Sequence, residues 1–301
     1  MLKQPGVSDA NKTTFLNTIL IILYVTSFIL YTYFLISGAD FYLTSFREQP
    51  HHTDYRSLRP AGMTGHAFGV IGSAMMIFML LYTIRKRVRR FQKLGYLSSW
   101  LRVHIYFGII GPLLIILHSS FKVQGLIAVS FWSMIAVALS GILGRYLYKQ
   151  IPRTIAGQEI DFKELEQMNQ NLAQEIYNKF RIEPKQLESI EASIFPPIRP
   201  EKGLIIAFFS MLFNDALKPF RSYRLRKHLV KKLNLSSHAV TQMLKTIKHK
   251  AMLQRRISMW NAIHQLFHYW HVIHKPFAII MYIIMLIHIL VAIYVGYAWI
   301  F

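Results

Sequence analysis

Two stretches of equal length, residues 104–118 (HIYFGIIGPLLIILH) and residues 274–288 (HKPFAIIMYIIMLIH), determine how this chain can fold. Each stretch begins and ends with histidine, and Lys275 is the only other charged side chain in either. Fifteen residues do not cross a bilayer core, which takes roughly 20 apolar residues, but both stretches lie within longer apolar runs. The pattern predicts membrane helices that carry paired histidines.

Working outward, five apolar runs are long enough to span a membrane, and none contains Lys, Arg, Asp or Glu. They cover residues 15–36, 61–84, 103–121, 125–144 and 276–301. We interpret the first as a helix, since it is longer than the apolar region of a signal peptide. A chain with 53% hydrophobic and 16% charged residues is also too apolar for an ordinary soluble domain. We predict an all-α integral membrane protein with five transmembrane helices.

The distribution of Lys and Arg predicts the orientation of these helices. The chain has 35 Lys and Arg against 14 Asp and Glu. Between the second and third runs lie seven cations and no acid: Arg85, Lys86, Arg87, Arg89, Arg90, Lys93 and Arg102. The 37–60 segment balances three arginines against three acids. Because cations are retained on the cytoplasmic side, we expect a cytoplasmic N-terminus and a periplasmic C-terminus. This asymmetry explains the basic charge without a nucleic-acid partner.

On this topology the chain divides into three parts: transmembrane helices one to four (1–148), a cytoplasmic helical insertion (149–259), and a long helix that enters and forms transmembrane helix five (260–301). The insertion lacks a Gly-rich phosphate loop and any alternation of strands with helices. Around residues 159–180, apolar residues recur at spacings of three and four, which predicts an amphipathic helix. They are Phe162, Leu165, Met168, Leu172 and Ile176.

Beyond a proline-rich break at 196–200, the insertion continues with an apolar segment at 203–213. Eleven residues are too few to span a membrane, so we expect an interfacial or buried helix. A basic run follows at 218–232, suited to anionic lipid headgroups or an acidic partner, or simply to a solvated flank. From Ser237 the helical pattern continues without Gly or Pro as far as Pro276.

The histidine spacing gives the main functional signal. His104 and His118 are 14 residues apart, as are His274 and His288. Fourteen residues of α-helix turn through about 1400°, roughly 40° short of four turns, and rise about 21 Å. Each pair therefore shares one helix face. With both helices running outward, His104 lies level with His274, and His118 with His288. These are the ligand sets for two six-coordinate b-type haems.

Neighbouring residues fit such a cofactor. Gly108 and Gly111 lie on the ligand face of the third run, where a flat macrocycle needs room. Arg102 and Arg145, with Lys275, lie near the inner surface and Lys122 near the outer one. These cations either contact haem propionates or act as positive-inside anchors. The chain has no cysteine, which excludes Cys-ligated clusters and covalently attached haem within it.

Three other histidines leave alternatives open. His271 and His268 are rivals of His274, although His271 lies about 100° away from the His288 face. His66, near the outer end of the second run, has no partner at 14 residues. It could replace an outer ligand, bind a third haem, bind a quinone and exchange its proton, or be structural.

With its two histidine-bounded helices and intervening glycines, the sequence resembles bacterial di-haem cytochromes b. It is similar to respiratory cytochrome b and to the transmembrane region of ferric reductases and NADPH oxidases, over runs two to five. The resemblance implies that His104, His118, His274 and His288 are axial ligands and that electrons cross the bilayer through two haems. Residues 145–275 match no part of those families.

We therefore expect an electron-transfer subunit of an oxidoreductase complex in a bacterial inner membrane. It would link a quinone pool or a periplasmic cytochrome to a cytoplasmic flavin or iron–sulfur protein. One alternative is a ferric-reductase-like subunit that passes electrons outward to metal or oxygen. Another is a proton or metal-ion transporter, although transporters more often carry intramembrane carboxylates and repeated halves.

Overall fold

The computed structural model describes residues 7–91, 93–152, 159–233 and 237–296. In those ranges the chain forms α-helices and short 3₁₀ turns, with no β-strand. The helices are α1 (Val7–Ser37), α2 (Ala39–Leu43), α3 (Tyr55–Leu58), α4 (Met63–Arg87), α5 (Leu97–His118), α6 (Gly125–Gln150), α7 (Phe162–Phe180), α8 (Pro184–Ile194), α9 (Leu204–Leu233), α10 (Ser237–Ser258) and α11 (Trp260–Tyr294). The predicted all-α fold is confirmed.

Five helices, α1, α4, α5, α6 and α11, are long and apolar enough to cross a membrane. Their surfaces expose large apolar side chains such as Ile21, Phe78 and Leu290, each more than half accessible. Continuous apolar surface of this extent is unfavourable in water and is satisfied by lipid. The chain is a multi-pass membrane protein.

Helix boundaries differ from the predicted runs where local backbone geometry decides them. The third run was expected to continue to residue 121, but α5 ends at His118. Ser120 and Phe121 adopt left-handed conformations, with φ of 50° and 59°, and this conformation ends a helix. The long helix expected from Ser237 is likewise interrupted at Met259, where α10 gives way to α11.

One compact unit consists of residues 1–143 and 271–301. Within it α1 packs on α5 around Leu20, Tyr106 and Ile110, and the hydroxyls of Ser27 and Tyr106 lie 2.8 Å apart. α4 runs antiparallel to α5. The buried Arg85 at the end of α4 donates to the carbonyl oxygens of residues 94 and 95, at 3.1 and 2.8 Å. This cation therefore fixes the turn that leads into α5.

The second compact unit, residues 144–270, contains the four helices α7 to α10. The amphipathic pattern predicted for 159–180 is confirmed, since Leu165 and Ile176 of α7 are completely buried. Ile176 joins side chains of α8, α9 and α10, among them Ile194, Leu229 and Ile247, in one core. A second core forms around the first half of α9 and contains Met211.

A polar network lies beside this second core and involves Asp215, the only acid in α9. Its carboxylate accepts from Arg255 at 2.5 Å and from the Tyr146 hydroxyl at 2.6 Å. Arg255 is 8% exposed and also donates to the Gln150 amide oxygen at 3.1 Å. Its guanidinium stacks over Phe195 at 4.4 Å. A buried cation of this kind depends on its carboxylate partner.

We predict that Asp215→Ala destabilises the second unit by about 3 kcal/mol, at the lower end of the usual cost of breaking a buried ion pair, because Gln150 remains as a partner of Arg255. Thermal unfolding of the full chain in detergent, followed by circular dichroism, measures the loss. Glu201→Ala, which removes an exposed acid, is the matched control and should change stability by less than about 0.5 kcal/mol. Equal effects of both substitutions would contradict this account of the network.

Candidate functional site

The structure brings His118 of α5 beside His288 of α11, and places His104 of α5 within electrostatic range of His274 of α11. The imidazole rings of His118 and His288 have their centres 6.4 Å apart, with an interplanar angle of 59°. His104 and His274 lie close enough to interact electrostatically. Each histidine of α5 thus has one neighbour on α11, at two levels of the same helix pair.

His118 is oriented by the backbone of α4. Its Nδ1 lies 2.8 Å from the carbonyl oxygen of Gly65. Since a carbonyl oxygen can only accept, Nδ1 must carry the hydrogen and donate it. In the neutral ring the other nitrogen, Nε2, is then left with its lone pair available.

His104 is held in the same way at the other end of α5. Its Nδ1 donates to the carbonyl oxygen of Met79, 3.2 Å away, and its ring lies 5.1 Å from that of Tyr82. The carbonyl again fixes the hydrogen on Nδ1 and leaves the lone pair on Nε2. Both histidines of α5 therefore share one tautomer, imposed by α4.

His274 obtains the equivalent contact from α6. Ser140 donates its hydroxyl hydrogen to the carbonyl oxygen of Val137 at 2.9 Å. Its Oγ is also 2.7 Å from His274 Nδ1. This contact holds the His274 ring against α6. For His288, by contrast, no hydrogen bond to its side chain is found within the described ranges.

The two histidines of α5 and their acceptors follow one antiparallel register. The residue numbers of the two contacts, 118 with 65 and 104 with 79, both add to 183. The close approach of Gly111 to Gly72 gives the same sum and lies at the midpoint. A Cβ on Gly72 would be 3.1 Å from the Gly111 oxygen, and a Cβ on Gly111 3.3 Å from the Gly72 oxygen. This backbone contact therefore sets how closely the two histidines of α5 approach the carbonyl groups of α4.

Gly69 is a further residue of this site that the sequence reasoning missed. A Cβ on Gly69 would lie 2.6 Å from Nδ1 of His118 and 2.7 Å from its Cε1. The glycine therefore lets the imidazole ring lie directly against α4. A signal was present in the sequence, because Gly65, Gly69 and Gly72 form a GxxxGxxG pattern, and such small-residue patterns are typical of close helix contacts in membranes.

The two glycines predicted to make room for a macrocycle, Gly108 and Gly111, contact α4 in this structure. A Cβ on Gly108 would be 3.2 Å from Met79 Cε, and one on Gly111 would be 3.1 Å from Met76 Cγ. In this structure both glycines contribute to helix packing, and their role in cofactor binding stays a prediction.

Three of the four predicted cations contact protein groups. Arg102 donates to the side chain of Asn17 on α1 and to the Ser99 hydroxyl. Lys122 donates to the carbonyl oxygen of Tyr42 at 3.3 Å. Arg145 belongs to the second compact unit, where it lies 5.5 Å from the Tyr148 ring. Contact of these residues with haem propionates stays a prediction.

Two of the three remaining histidine candidates lie near the paired residues. His66, one residue after the Gly65 acceptor, is close enough to His118 to interact electrostatically. His271, one turn before His274, interacts with it in the same way. His268 is exposed in the second unit.

Between the two histidine levels the helices are joined by a cluster of methionines. Met76 of α4, Met134 of α6 and Met281 of α11 are each 2–3% exposed and pack together. The Tyr282 hydroxyl donates to the Met76 carbonyl oxygen at 2.6 Å, and Ser130 donates to the Met281 carbonyl oxygen at 3.1 Å. The apolar contacts in the middle of α4, α6 and α11, together with these two hydrogen bonds, fix the register of the three helices.

No group of three or more His, Asp or Glu side chains that could hold a metal ion occurs within the described ranges. The donor set offered here is pairs of imidazoles, which suit a metal whose other ligands come from a macrocycle. Comparison with protein-family models, curated proteins and solved structures finds no match. The interpretation of the site therefore rests on its residues and geometry.

We predict that Gly69→Ala disturbs His118, because the added methyl would overlap its ring, while Gly108→Ala meets only the flexible end of Met79. The apparent unfolding temperature of the full chain in detergent should fall for Gly69→Ala and change much less for Gly108→Ala. A double variant, Gly69→Ala with His118→Ala, should recover most of the loss, since the clash is then removed. Equal destabilisation in the presence and absence of the His118 ring would contradict the proposed contact.

Proposed function

We propose that this chain is a b-type cytochrome that carries electrons across a membrane. Its histidines would hold two haems, an inner one between His104 and His274 and an outer one between His118 and His288. The observation that carries the proposal is the common orientation of the two imidazoles on α5. His104 and His118 each donate from Nδ1 to a backbone carbonyl, so that Nε2 is the nitrogen that would ligate, which is the usual arrangement around metal-ligating histidines.

The spacing of the outer pair supports the same ligand set. A metal–imidazole bond is about 2 Å long, so two rings whose centres are roughly 6 Å apart would both be able to ligate one metal ion. The His118 and His288 rings, at 6.4 Å, are compatible with one shared iron.

When bound, haem would supply a one-electron iron couple whose potential depends on ligation, burial and hydrogen bonding. The chain's own residues provide the conditions for that chemistry. The Gly65 and Met79 carbonyls and Ser140 orient the imidazoles, and hydrogen bonds of this kind raise ligand basicity. The buried methionines between the two levels exclude water from the helix group. The 14-residue spacing separates the levels by about 21 Å along each helix, so the two sites would together reach across much of the bilayer.

We further propose that the chain is a subunit of an oxidoreductase complex in a bacterial inner membrane, with a cytoplasmic N-terminus and a periplasmic C-terminus. The concentration of Lys and Arg between α4 and α5 supports this orientation. Because the sequence has no cysteine, an iron–sulfur cluster or c-type haem in the same pathway would belong to a cytoplasmic or periplasmic partner. A quinone pool is the other candidate donor or acceptor, and His66, beside the outer pair, would be the group that exchanges a proton with it.

An absorption spectrum of the purified, dithionite-reduced protein tests the proposal. We expect a b-type α-band and two haems per chain by extraction and quantification. His118→Ala and His274→Ala should each leave one haem, because each removes a ligand of a different pair. His268→Ala is the control and should leave both.

Two results would contradict this assignment. Absence of any b-type band in protein purified from cells supplied with haem would exclude the cytochrome function. Loss of both haems from a single ligand variant that keeps its helical circular dichroism would contradict the pairing.

A second prediction concerns Ser140. Ser140→Ala removes the hydroxyl that contacts His274 Nδ1 while leaving all four proposed ligands in place. We expect haem affinity at the inner site to fall about 10- to 100-fold, as for other hydrogen-bond partners of metal ligands, with the outer site unchanged. Titration of the apo-protein with haem measures both sites. Ser130→Ala removes a hydroxyl on the same helix that bonds to the Met281 carbonyl, and it should leave both affinities unchanged. An equal loss of haem affinity in Ser130→Ala would show that the effect of Ser140→Ala does not depend on its contact with His274.

A further inference from the structure

The second compact unit carries an exposed apolar stripe on α9 that the electron-transfer proposal does not use. Its members recur at spacings of three and four and so lie on one side of the helix. The stripe consists of Ile205, Phe209, Phe213, Ala216, Phe220 and Tyr223. Its large side chains are 58–72% exposed. From first to last residue it extends about 27 Å along the helix.

The orientation of this stripe is fixed by the opposite side of the same helix. Ala207, Phe208 and Met211 are 0–8% exposed and pack into a core of the second unit. Asp215 adds the ion pair with Arg255 on a side of α9 away from the stripe. Since these contacts hold one face of α9 inward, the stripe is a stable outer surface of the unit.

Positively charged side chains extend the stripe toward the C-terminal end of α9. Arg224 and Lys227, each four residues after a stripe member, are exposed on the same side of α9. The Arg224 guanidinium stacks over the Phe220 ring at 4.9 Å, so a cation is held beside an exposed aromatic ring. The only acid in α9, Asp215, is neutralised by Arg255. The surface is therefore apolar and cationic, with no acid on the helix to oppose an anion.

A groove of about 480 Å³ lies alongside the first half of the stripe. Its walls combine the apolar Ile206 and Phe213 with the cations Arg199 and Lys202 and the polar Ser210 and Asn214. This mixture suits a phosphate headgroup together with the first part of an acyl chain.

We propose that α9 docks on the surface of an anionic phospholipid bilayer, with the stripe inserted at the level of the headgroups and the cations on lipid phosphates. An apolar face flanked by Lys and Arg is the usual composition of helices that lie in a membrane interface. The chain enters the second unit from α6 and leaves it into α11, and both are membrane-spanning helices. A bilayer surface is therefore always within reach of the unit. A second copy of the same face would instead bring like charges together.

The absence of cysteine allows a direct test with the full chain. A single cysteine is introduced as Phe213→Cys in the stripe, or as Ser189→Cys at an exposed site on α8, and labelled with an environment-sensitive fluorophore. Each protein is reconstituted in vesicles of phosphatidylcholine alone or of two parts phosphatidylcholine to one part phosphatidylglycerol. Brominated lipids report contact with the bilayer, and iodide reports contact with water.

We expect the label at 213 to be quenched by brominated lipid and protected from iodide, more strongly with phosphatidylglycerol, and the label at 189 to show the reverse. The double substitution Arg224→Glu and Lys227→Glu, made on the Phe213→Cys protein, should weaken docking at least about 25-fold, since each cation near an anionic surface changes binding about fivefold. Circular dichroism establishes that the variant is folded.

Three results would overturn the proposal. Equal iodide quenching at 213 and 189 would mean that the stripe faces water. Protection from iodide without quenching by brominated lipid would mean that another protein chain covers the stripe. Lipid quenching at 213 that is unchanged by charge reversal, or equally strong in vesicles of phosphatidylcholine alone, would show that anionic lipid is not needed for docking. The test involves none of the paired histidines, so it can fail or succeed independently of the haem assignment.

Discussion

The close contact between the backbones of α4 and α5 is the constraint on which the histidine arrangement depends. Gly72 and Gly111 meet at the centre of that contact, and neither position has room for a side chain without displacing its neighbour. Because α4 and α5 are antiparallel, the same register holds on both sides of this contact. It brings His118 to the Gly65 carbonyl and His104 to the Met79 carbonyl. One helix contact thus sets the orientation of two imidazoles that are about 21 Å apart along α5.

Much of this could be predicted from the sequence, because the relevant signals are properties of side chains. Absence of charge over long runs identifies membrane helices, and equal histidine spacing on two of them identifies a shared face. The same kind of periodicity predicted α7, whose Leu165 and Ile176 are buried. In each case the side chain itself carries the information.

The parts that sequence reasoning did not find depend on the backbone or on neighbours distant in the chain. The acceptors of His104 and His118 are carbonyl groups, which every residue has, so no residue type marks them. Ser140 is one of several serines in α6, and its contact with His274 appears only when the two helices are packed together. The early end of α5 depends on left-handed conformations at Ser120 and Phe121, residues that rarely adopt them. In the second unit, the short apolar run at 203–213 predicted an interfacial or buried helix but not which of its faces is covered.

The use of carbonyl acceptors on α4 has a consequence for how this sequence can vary. Replacing the side chain of Met79 leaves its carbonyl in place, so substitutions along α4 can accumulate without loss of either hydrogen bond, provided that the glycine contacts persist. A change in helix length is different. One residue inserted between positions 65 and 79 rotates everything beyond it by about 100° and shifts it by 1.5 Å, which separates one histidine from its acceptor while the other stays bonded. Apart from these glycines, homologous chains should therefore vary in the composition of this segment more readily than in its length.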